Sequence, residues 1–571
     1  MAAETDIEAQ GPATESILAP LKHGVFRRIW TASLGTNFGS LIQSVGAAWA
    51  MTELSSSAGD VALVQTASFT PTLLLSLIAG ALADMYDRRV VGLVAVIISI
   101  TGAVGLTTLA FLKLLNPATL LSFCFIVGTG SALFGPAWAA SVREQVPPAL
   151  LPQAISLNSI SYNIARSFAP AIGGALVAAA GAAAAFVTNC VLYLPMLLVL
   201  ATWRRKAEVP RLPPESLGRA MISGVRFVSH SPPIRTVIFR TLLLGMVGGA
   251  VSAMMPLVAR DLIGGKALTY GLLLGAFGGG AVLGALTMSA FRARFVNERI
   301  VVVCMLMLGA GAIIVSQSRF LPLTATALLF NGAAWMVSVA CYNIEIQLAA
   351  PRWVSGRTLA AFQAAVAGGI AAGGIVWGRV AQAHGVATAL LCSGIAMLLL
   401  PLLGIWLKMP AAEGAVEDAP ALADPEVALA LTARSGPIVV ELHYRVDPAE
   451  ARLFYLASLD VQRTRERNGG YGWSISRDIA DPTLWIERFH CPTWHDYLRQ
   501  RSRATQAERD LQQKMREFHL GPEPVLIRRM LDRPLGSVRW REDTPDVMPN
   551  ATSPLLTPGA PLISPGVRPP N

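Results

Sequence analysis

Long apolar runs constrain this chain more than any other feature. Stretches of about twenty nearly uncharged residues follow one another over roughly the first 410 of 571 positions. A helix of about 20 apolar residues spans the hydrocarbon core of a bilayer. Lipid offers no partner for backbone N–H and C=O groups, and these runs are too long and too evenly apolar for barrel strands. Twelve helical spans are therefore predicted, near 28–51, 59–82, 90–112, 117–140, 154–180, 182–203, 235–259, 268–290, 299–317, 320–345, 357–382 and 385–407. Charged residues are only 14% of the chain, against roughly 25% in soluble domains.

Lysine and arginine orient the spans. One set of breaks holds Lys22, Arg27 and Arg28, then Arg88 and Arg89, Arg143, a cluster from Arg204 to Arg226, Arg292, Arg294 and Arg299, Arg352 and Arg357, and Lys408. The alternate set holds only Lys113, Arg260, Lys266 and Arg319. The positive-inside rule places both termini in the cytoplasm. The net charge of +10 then reports topology rather than nucleic acid. The longest polar break, 204–234, divides the spans six and six, and "ESLGRAMISGVRFVSHSPP" within it has the pattern of a surface-lying amphipathic helix.

The halves echo each other. A shift of 204 positions carries Gly80 to Gly284, Ala81 to Ala285, Leu82 to Leu286, Arg88 to Arg292 and Pro147 to Pro351. Such repeats enclose a site at their interface near the bilayer midplane.

The predicted division is a flexible cytoplasmic N-terminus (1–24), a first bundle (25–203), a cytoplasmic central loop (204–234), a second bundle (235–408), a linker (409–436), a soluble α+β domain (437–531) and a disordered tail (532–571). Residues 1–20 are acidic and polar, so no cleaved leader is expected. In the soluble domain, "PIVVELHYRV" alternates like a half-buried strand. "PAEARLFYLASLDVQRTRER" is helical, "YGWSISRDI" and "TLWIERFHC" read as strands, "TWHDYLRQRSRATQAERDLQQKMREFH" as one basic helix and "PVLIRRML" as a last strand. This βαββαβ order fits a ferredoxin-like α+β unit. The predicted fold class is thus an all-α polytopic membrane protein of two six-helix bundles, followed by a ferredoxin-like domain.

Six cysteines are scattered without a CxxC pair, so neither a disulfide framework nor a zinc site is indicated. His490, Cys491 and His495 lack a convincing metal-ligand spacing. No Walker-type phosphate loop is present, which argues against ATP as the energy source. No metal, cofactor or catalytic residue is expected.

The charges that break the second and third spans are unusually dense: "GALADMYDRR" fills positions 80–89. Gly80 permits close approach of a neighbouring helix. Asp84 lies just past the span, where it can meet a helix N-terminus or a guanidinium, and Arg88 and Arg89 can supply the latter. A contact of this kind can hold two bundles shut on one side.

This stretch resembles the loop signature of the major facilitator superfamily, Gly-x-Leu-Ala-Asp-x-x-x-Arg-Arg/Lys between helices 2 and 3. "NFGSLIQSVGAAW" (37–49), "GPAWAASVREQVPPALLPQAISLNSISYNIARSFAPAIGG" (135–174) and "APRWVSGRTLAAFQ" (350–363) resemble its branch of enterobactin exporters and transmembrane secretion effectors. "RNGGYGWSISRDIADP" and "WHDYLRQRSRAT" resemble the extra domain of many bacterial members, similar to dimeric α+β barrels that include cofactor-free monooxygenases. The resemblance runs from about 25 to 530. It implies the major facilitator fold and alternating-access transport across a bacterial inner membrane, often export of siderophores, drugs or metabolites in exchange for protons. Two positions depart from the pattern. Met288 stands where Asp84 stands in the first half, implying an asymmetric gate. Ala169 opens the helix 5 stretch Ala169-Pro170-Ala171-Ile172-Gly173-Gly174, where exporters carry glycine.

Arg166 lies about twelve residues into the fifth span, near the bilayer centre. A charge there is costly and usually faces an aqueous cavity or a partner. Asn158, Tyr162 and Arg166 are spaced by four and share a face. Arg166 can bind an anionic group of a substrate, tune a proton site, or tie helices together through carbonyls. Other polar groups within spans are Asn37, Gln43, Gln65, Asn163, Asn189, Asn331, Asn343 and Gln363; Asn37 and Gln43 join the cavity candidates. Glu53 and Glu345 sit near span ends, and no acid lies clearly mid-membrane to carry a proton. Gly369 with Gly373, Gly374 with Gly378, Gly275 with Gly279 and Gly280 with Gly284 form small-xxx-small pairs in helices 11 and 8. In the resembled superfamily those helices line the seam between halves. Pro170, Gly173 and Gly174 are expected to serve packing in helix 5.

The expected function is secondary export of small organic molecules, with lipid, a small-molecule substrate and protons as partners and no nucleic acid. Two alternatives stay open. The C-terminal domain can act as a small cofactor-free oxygenase or ligand sensor, with His443, Trp473 and His495 lining a cleft, or as a dimerising module. The membrane part can be an importer or a lipid transporter.

Overall fold

The computed structural model describes residues 16, 18–203, 217–351, 353–409, 419, 424–429, 431–432 and 434–532. The expectations for the first 15 residues, for 204–216, for most of the linker and for the tail from 533 lie outside the described residues. The chain divides into two compact units. One comprises Met1–Gly224, Pro232–Ala350 and Val354–Glu413; the other comprises Val225–Ser231, Pro351–Trp353 and Gly414–Asn571.

The first unit is helical. Its elements are α1 (Gly24–Leu54), α2 (Ala58–Met85), α3 (Arg88–Phe111), α4 (Pro117–Ser141), α5 (Leu151–Thr202), the start of α6 (Leu217–Ser229), α7 (Pro232–Leu257), α8 (Ala267–Arg294), α9 (Asn297–Gln317), α10 (Leu321–Ala349), α11 (Ser355–His384) and α12 (Val386–Leu399). Among the described residues, ten helices are long and apolar enough to cross a membrane. The 52 residues of α5 are broken at Gly181, where φ is +77°, into two arms. Helix α1 adds 31 residues whose buried positions include Ile42, Val45 and Met51.

Local chemistry explains where these helices start. The Ser57 side chain accepts from Asp60 N and opens α2. Asp87 accepts from Arg89 N and opens α3. Asn116 and Thr119 form a reciprocal capping box at α4, with Pro117 at the first turn. Each cap satisfies a donor that the helix leaves unpaired.

The duplication read from the sequence has structural counterparts. Gly181 and Gly385 stand 204 positions apart and both adopt positive φ, +77° and +87°. The first breaks α5, and the second separates α11 from α12. Only glycine takes this conformation without strain. The same shift relates two buried contacts: Asn189 Nδ2 donates to Gln43 Oε1 in the first half, and Ser393 Oγ donates to Val247 O at 2.8 Å in the second.

At the end of the bundle that bears Arg88, Arg89 and Arg292, hereafter the basic end, ionic contacts tie each half internally. Arg240 is 4% exposed and forks onto both oxygens of Glu298 at 2.8 and 2.9 Å. It also donates to Leu407 O and to the hydroxyl of buried Tyr342. Removing one partner of such a pair leaves a buried charge unmatched and typically costs about 3–5 kcal/mol. Glu345, expected near a span end, is 4% exposed and accepts from Asn297 Nδ2, while Arg292 Nε donates to Asn297 Oδ1.

The second unit holds a four-stranded antiparallel sheet in the order β2-β3-β1-β4, from β1 (Ile438–Arg445), β2 (Tyr471–Arg477), β3 (Leu484–Cys491) and β4 (Leu526–Leu531). Helix α13 (Ala451–Arg467) joins β1 to β2. Two helices, α14 (Trp494–Ser502) and α15 (Gln506–Glu517), join β3 to β4 where the sequence predicts one. The reason is a capping box. Thr505 Oγ1 accepts from Glu508 N while Glu508 Oε2 accepts from Thr505 N, which starts a new helix. Ile438, Val440, Leu442 and Tyr444 pack with Phe454, Phe489 and Tyr497 in the core. Glu487, 1% exposed, is held within it by Arg465 Nε at 3.0 Å, Trp473 Nε1 at 3.2 Å and the Tyr444 hydroxyl at 3.4 Å. His443 lies on the other sheet face from Trp473, because successive β1 residues alternate and Leu442 pairs with Glu487. The cleft expected from His443 and Trp473 together is therefore not formed.

Candidate functional site: a cavity between the helical halves

Four of the five sequence-predicted cavity residues meet. Asn37, Asn158, Tyr162 and Arg166 line a cavity of about 700 Å³. Tyr162 and Arg166 also border a second chamber of about 510 Å³, which Phe277, Trp335 and Gln363 help to enclose from the other half. The spacing of four along α5 brings Asn158, Tyr162 and Arg166 to one wall, as their shared face requires. The first chamber runs toward the basic end past Trp138, Val142 and Ile155.

Gln43 does not join them. It is 4% exposed and its carboxamide oxygen accepts from Asn189 on the second arm of α5. The contact ties α1 to α5 and buries both amides, so neither faces the cavity, although Asn189 Oδ1 has no hydrogen-bond partner among the described residues. Gln65 and Asn331 line the second chamber. Asn331 is 1% exposed, and neither atom of its amide finds a hydrogen-bond partner among the described residues.

Among the described residues, the guanidinium of Arg166 has one partner, the Phe277 ring, whose centroid lies 5.7 Å away. The backbone behind it is pressed by the other half. A Cβ on Gly278 would stand 2.2 Å from Arg166 O, so only glycine permits this approach of α8 to α5.

The gating-loop residues act within the first half. Arg88 Nη1 donates to Glu144 Oε1 at 2.7 Å and to Ala140 O at 3.0 Å, and Arg88 Nε donates to Ala83 O at 3.3 Å. Arg89 caps the end of α5 through Leu200 O at 2.7 Å and Ala201 O at 2.6 Å. Among the described residues, both ends of these contacts belong to one half, so they do not bridge the bundles. Carbonyls at a helix C-terminus attract cations, which explains the choice. The side chain of Asp84 lies outside the described residues. Gly80 faces α11, where an added Cβ would make an ordinary 3.7 Å contact with Ala360.

The small residues sort by face. A Cβ on Gly174 would meet Gly271 Cα at 2.7 Å, and one on Gly271 would meet Pro170 O at 2.7 Å, so this pair sits at the seam. Gly374 and Gly378 abut Thr66, Ala62 and Gly59 of α2, also across the seam. Gly173 instead packs on Ile42 of α1. Gly369 and Gly373, expected at the seam, face Gly245 and Met246 of α7 within their own half, as do Gly280 and Gly284 toward α10. Positions four apart share a face, and a step of one residue, as from Gly373 to Gly374, turns to a different neighbour.

Sequence reasoning missed the closure. Trp49 and Tyr270, 8% and 2% exposed, stack across the halves with centroids 6.4 Å apart. Arg260, on the π-helical turn Val258–Leu262 that follows α7, donates through Nη1 to Thr52 O at 2.7 Å. Thr66 Oγ1 donates to Ala371 O at 2.9 Å. These contacts gather toward the end away from the basic loops. Two aromatics inside apolar runs and one arginine in a sparse loop carry no pattern that pairs them in advance.

The comparisons agree with this architecture. The transmembrane secretion effector family matches residues 15–535. The chain is similar to the multidrug efflux pump Tap of Mycolicibacterium fortuitum, 25% identical over 397 residues, which cover 68% of this chain and 96% of that protein. It is 26% identical over 395 residues to the Tap pump of Mycobacterium tuberculosis, covering 65% of this chain and 92% of that one. Among solved structures, a bacterial homolog of the human lysosomal transporter Spinster, inward-facing and occupied, superposes with a TM-score of 0.55 at 14% identity, covering 68% of this chain and 97% of that one. This chain belongs to the transmembrane secretion effector family and is a multi-pass membrane transporter of the major facilitator superfamily.

Proposed function

We propose that the chain exports small organic molecules across a bacterial inner membrane by alternating access, driven by an ion gradient. The observation that carries this reading is a cavity system of two adjoining chambers that share Tyr162 and Arg166. Its walls come from both halves around Arg166, and the halves are locked by Trp49, Tyr270 and Arg260 away from the basic end. Such a chamber loads from the basic side and must release when the lock parts and the basic side closes.

On this reading α1, both arms of α5, and the other long helices make twelve crossings, with the basic end and both termini in the cytoplasm. The helix 2–3 loop and Arg88 stabilise the first half as it moves. Asn37, Asn158, Tyr162 and Arg166 contact cargo. The C-terminal unit is a ferredoxin-like module, and its element and strand order support that assignment. Dimerisation through it is part of the proposal. The names of the Tap relatives, multidrug efflux pumps, favour export over import.

Proton coupling rests on the resemblance. The described residues lining the chambers include no carboxylate, so a proton carrier belongs elsewhere. Glu53, which accepts from Trp49 Nε1 at 2.8 Å beside the lock, is the residue proposed for it.

Everted membrane vesicles test the function. With an inside-acid gradient, vesicles containing the chain should accumulate labelled drugs, and a protonophore should abolish the accumulation. Accumulation only in right-side-out vesicles would replace export by import.

A further inference from the structure

Arg166 is a charge without a counter-charge. It forms no ion pair or hydrogen bond among the described residues, and its neighbour Phe277 offers only a ring face. The described residues around both chambers carry no aspartate or glutamate. A guanidinium held midway through a membrane span is costly unless water or a ligand compensates it. Its surroundings are arranged for a ligand. On one side lie neutral amides, Asn37 and Asn158, and Asn158 Oδ1 has no hydrogen-bond partner among the described residues. On the other lie Phe277, Trp335 and Tyr270, with the unpartnered, buried amide of Asn331.

We infer that the cargo is an organic anion with an aromatic or apolar body, its carboxylate or similar group seated on Arg166. This deepens the export reading above and rests on it. The guanidinium fork matches a carboxylate bidentately, and such charge-assisted bonds are stronger than neutral ones. The body occupies the aromatic chamber, which buries apolar surface against the rings. Organic cations are disfavoured, because nothing in the described lining balances their charge and Arg166 repels them.

The test uses three probes with one ring system: 2-naphthoate, its uncharged isostere 2-naphthamide, and (2-naphthyl)trimethylammonium. Binding to the purified full-length chain is measured by titration calorimetry, with Arg166→Gln and Arg166→Lys alongside. Wild type should bind the anion at least about tenfold more tightly than the amide and bind the cation weakest. Arg166→Gln should erase the anion's advantage and leave amide affinity within about threefold. Arg166→Lys should keep part of it, since the charge stays and the fork is lost. If the Gln variant does not fold, the wild-type order and the Lys variant still decide. Equal or better binding of the cation would overturn the inference, as would equal loss of all three probes in Arg166→Gln.

Transport of the same probes from proteoliposomes separates this inference from the export reading. If the amide is moved as well as the anion, the anion class fails and export stands. If the anion binds through Arg166 yet no probe moves, the cargo site stands and export fails.

Discussion

The indole of Trp49 and the phenol ring of Tyr270 stack at 6.4 Å and 21° across the two halves of the helical bundle. They lie beside the second chamber, which Tyr270 itself lines. An aromatic pair of this kind is worth about 0.5–1.5 kcal/mol beyond its buried area. Tyr270→Ala should therefore shift the balance between closed and open states several-fold toward opening at this end. In a cysteine-free background, a cysteine at Ser252 in the second chamber should react faster with a membrane-impermeant thiol reagent added from the side away from the basic loops. An unchanged rate would remove the pair as the lock.

Gly174 and Gly271 make a second seam contact, with each hypothetical Cβ within 2.8 Å of the other's backbone. Backbone cannot yield as a flexible side chain can. Gly271→Ala should push α5 from α8 and lower thermal stability by an overpacking cost of about 1–3 kcal/mol, with transport falling further than stability. Gly279→Ala on the same helix has nothing within 4 Å and should behave as wild type. Similar behaviour of the two variants would show that the close approach is not needed.

The C-terminal unit makes a pH prediction. Burial alone would raise the Glu441 carboxyl, but hydrogen bonds and charge from Arg488 outweigh it and hold it below its ordinary 4.5. A carboxylate depressed in the folded state stabilises fully above its unfolded value, and that contribution is lost as pH falls below about 4.5. Burial, with Arg499 nearby, lowers His495 below its ordinary 6.5. Its contribution is likewise present above about 6.5 and lost as pH falls further. A fragment of residues 424–532 should thus melt at a steady temperature from pH 8 to 7 and lose stability in two stages below. Glu441→Gln should flatten the lower stage. A single acid transition insensitive to that change would contradict the assignment.

Much of the helical layout was legible because lipid imposes one rule on every span. The predicted runs at 117–140 and 299–317 meet helices at Pro117–Ser141 and Asn297–Gln317. The break between 180 and 182 falls on Gly181. The repeat offset of 204 held even for residues that share no identity, such as Gln43 and Val247. Side-chain partners were less legible. Whether Gln43 meets solvent or Asn189 depends on rotation of α1 by less than one turn, which composition does not encode. Gly369 and Gly374 differ by five positions and face different helices. The closure by Arg260 needs a π-helical turn to aim it, and no sequence pattern announced that turn. In the C-terminal unit, one capping box divided a helix that amphipathic periodicity read as continuous.

Rocking of the two halves about Arg166 is the central claim, and paired spin-label distances test it most directly. One pair sits on the basic end, at Tyr86 and Val296, both exposed between helices. The other sits on the opposite end, at Leu114 and Phe320, likewise exposed. In lipid nanodiscs, adding 2-naphthoate and lowering the pH should shorten the first distance and lengthen the second, each with two resolved populations. A single unchanging distance at both ends under every condition would contradict the account.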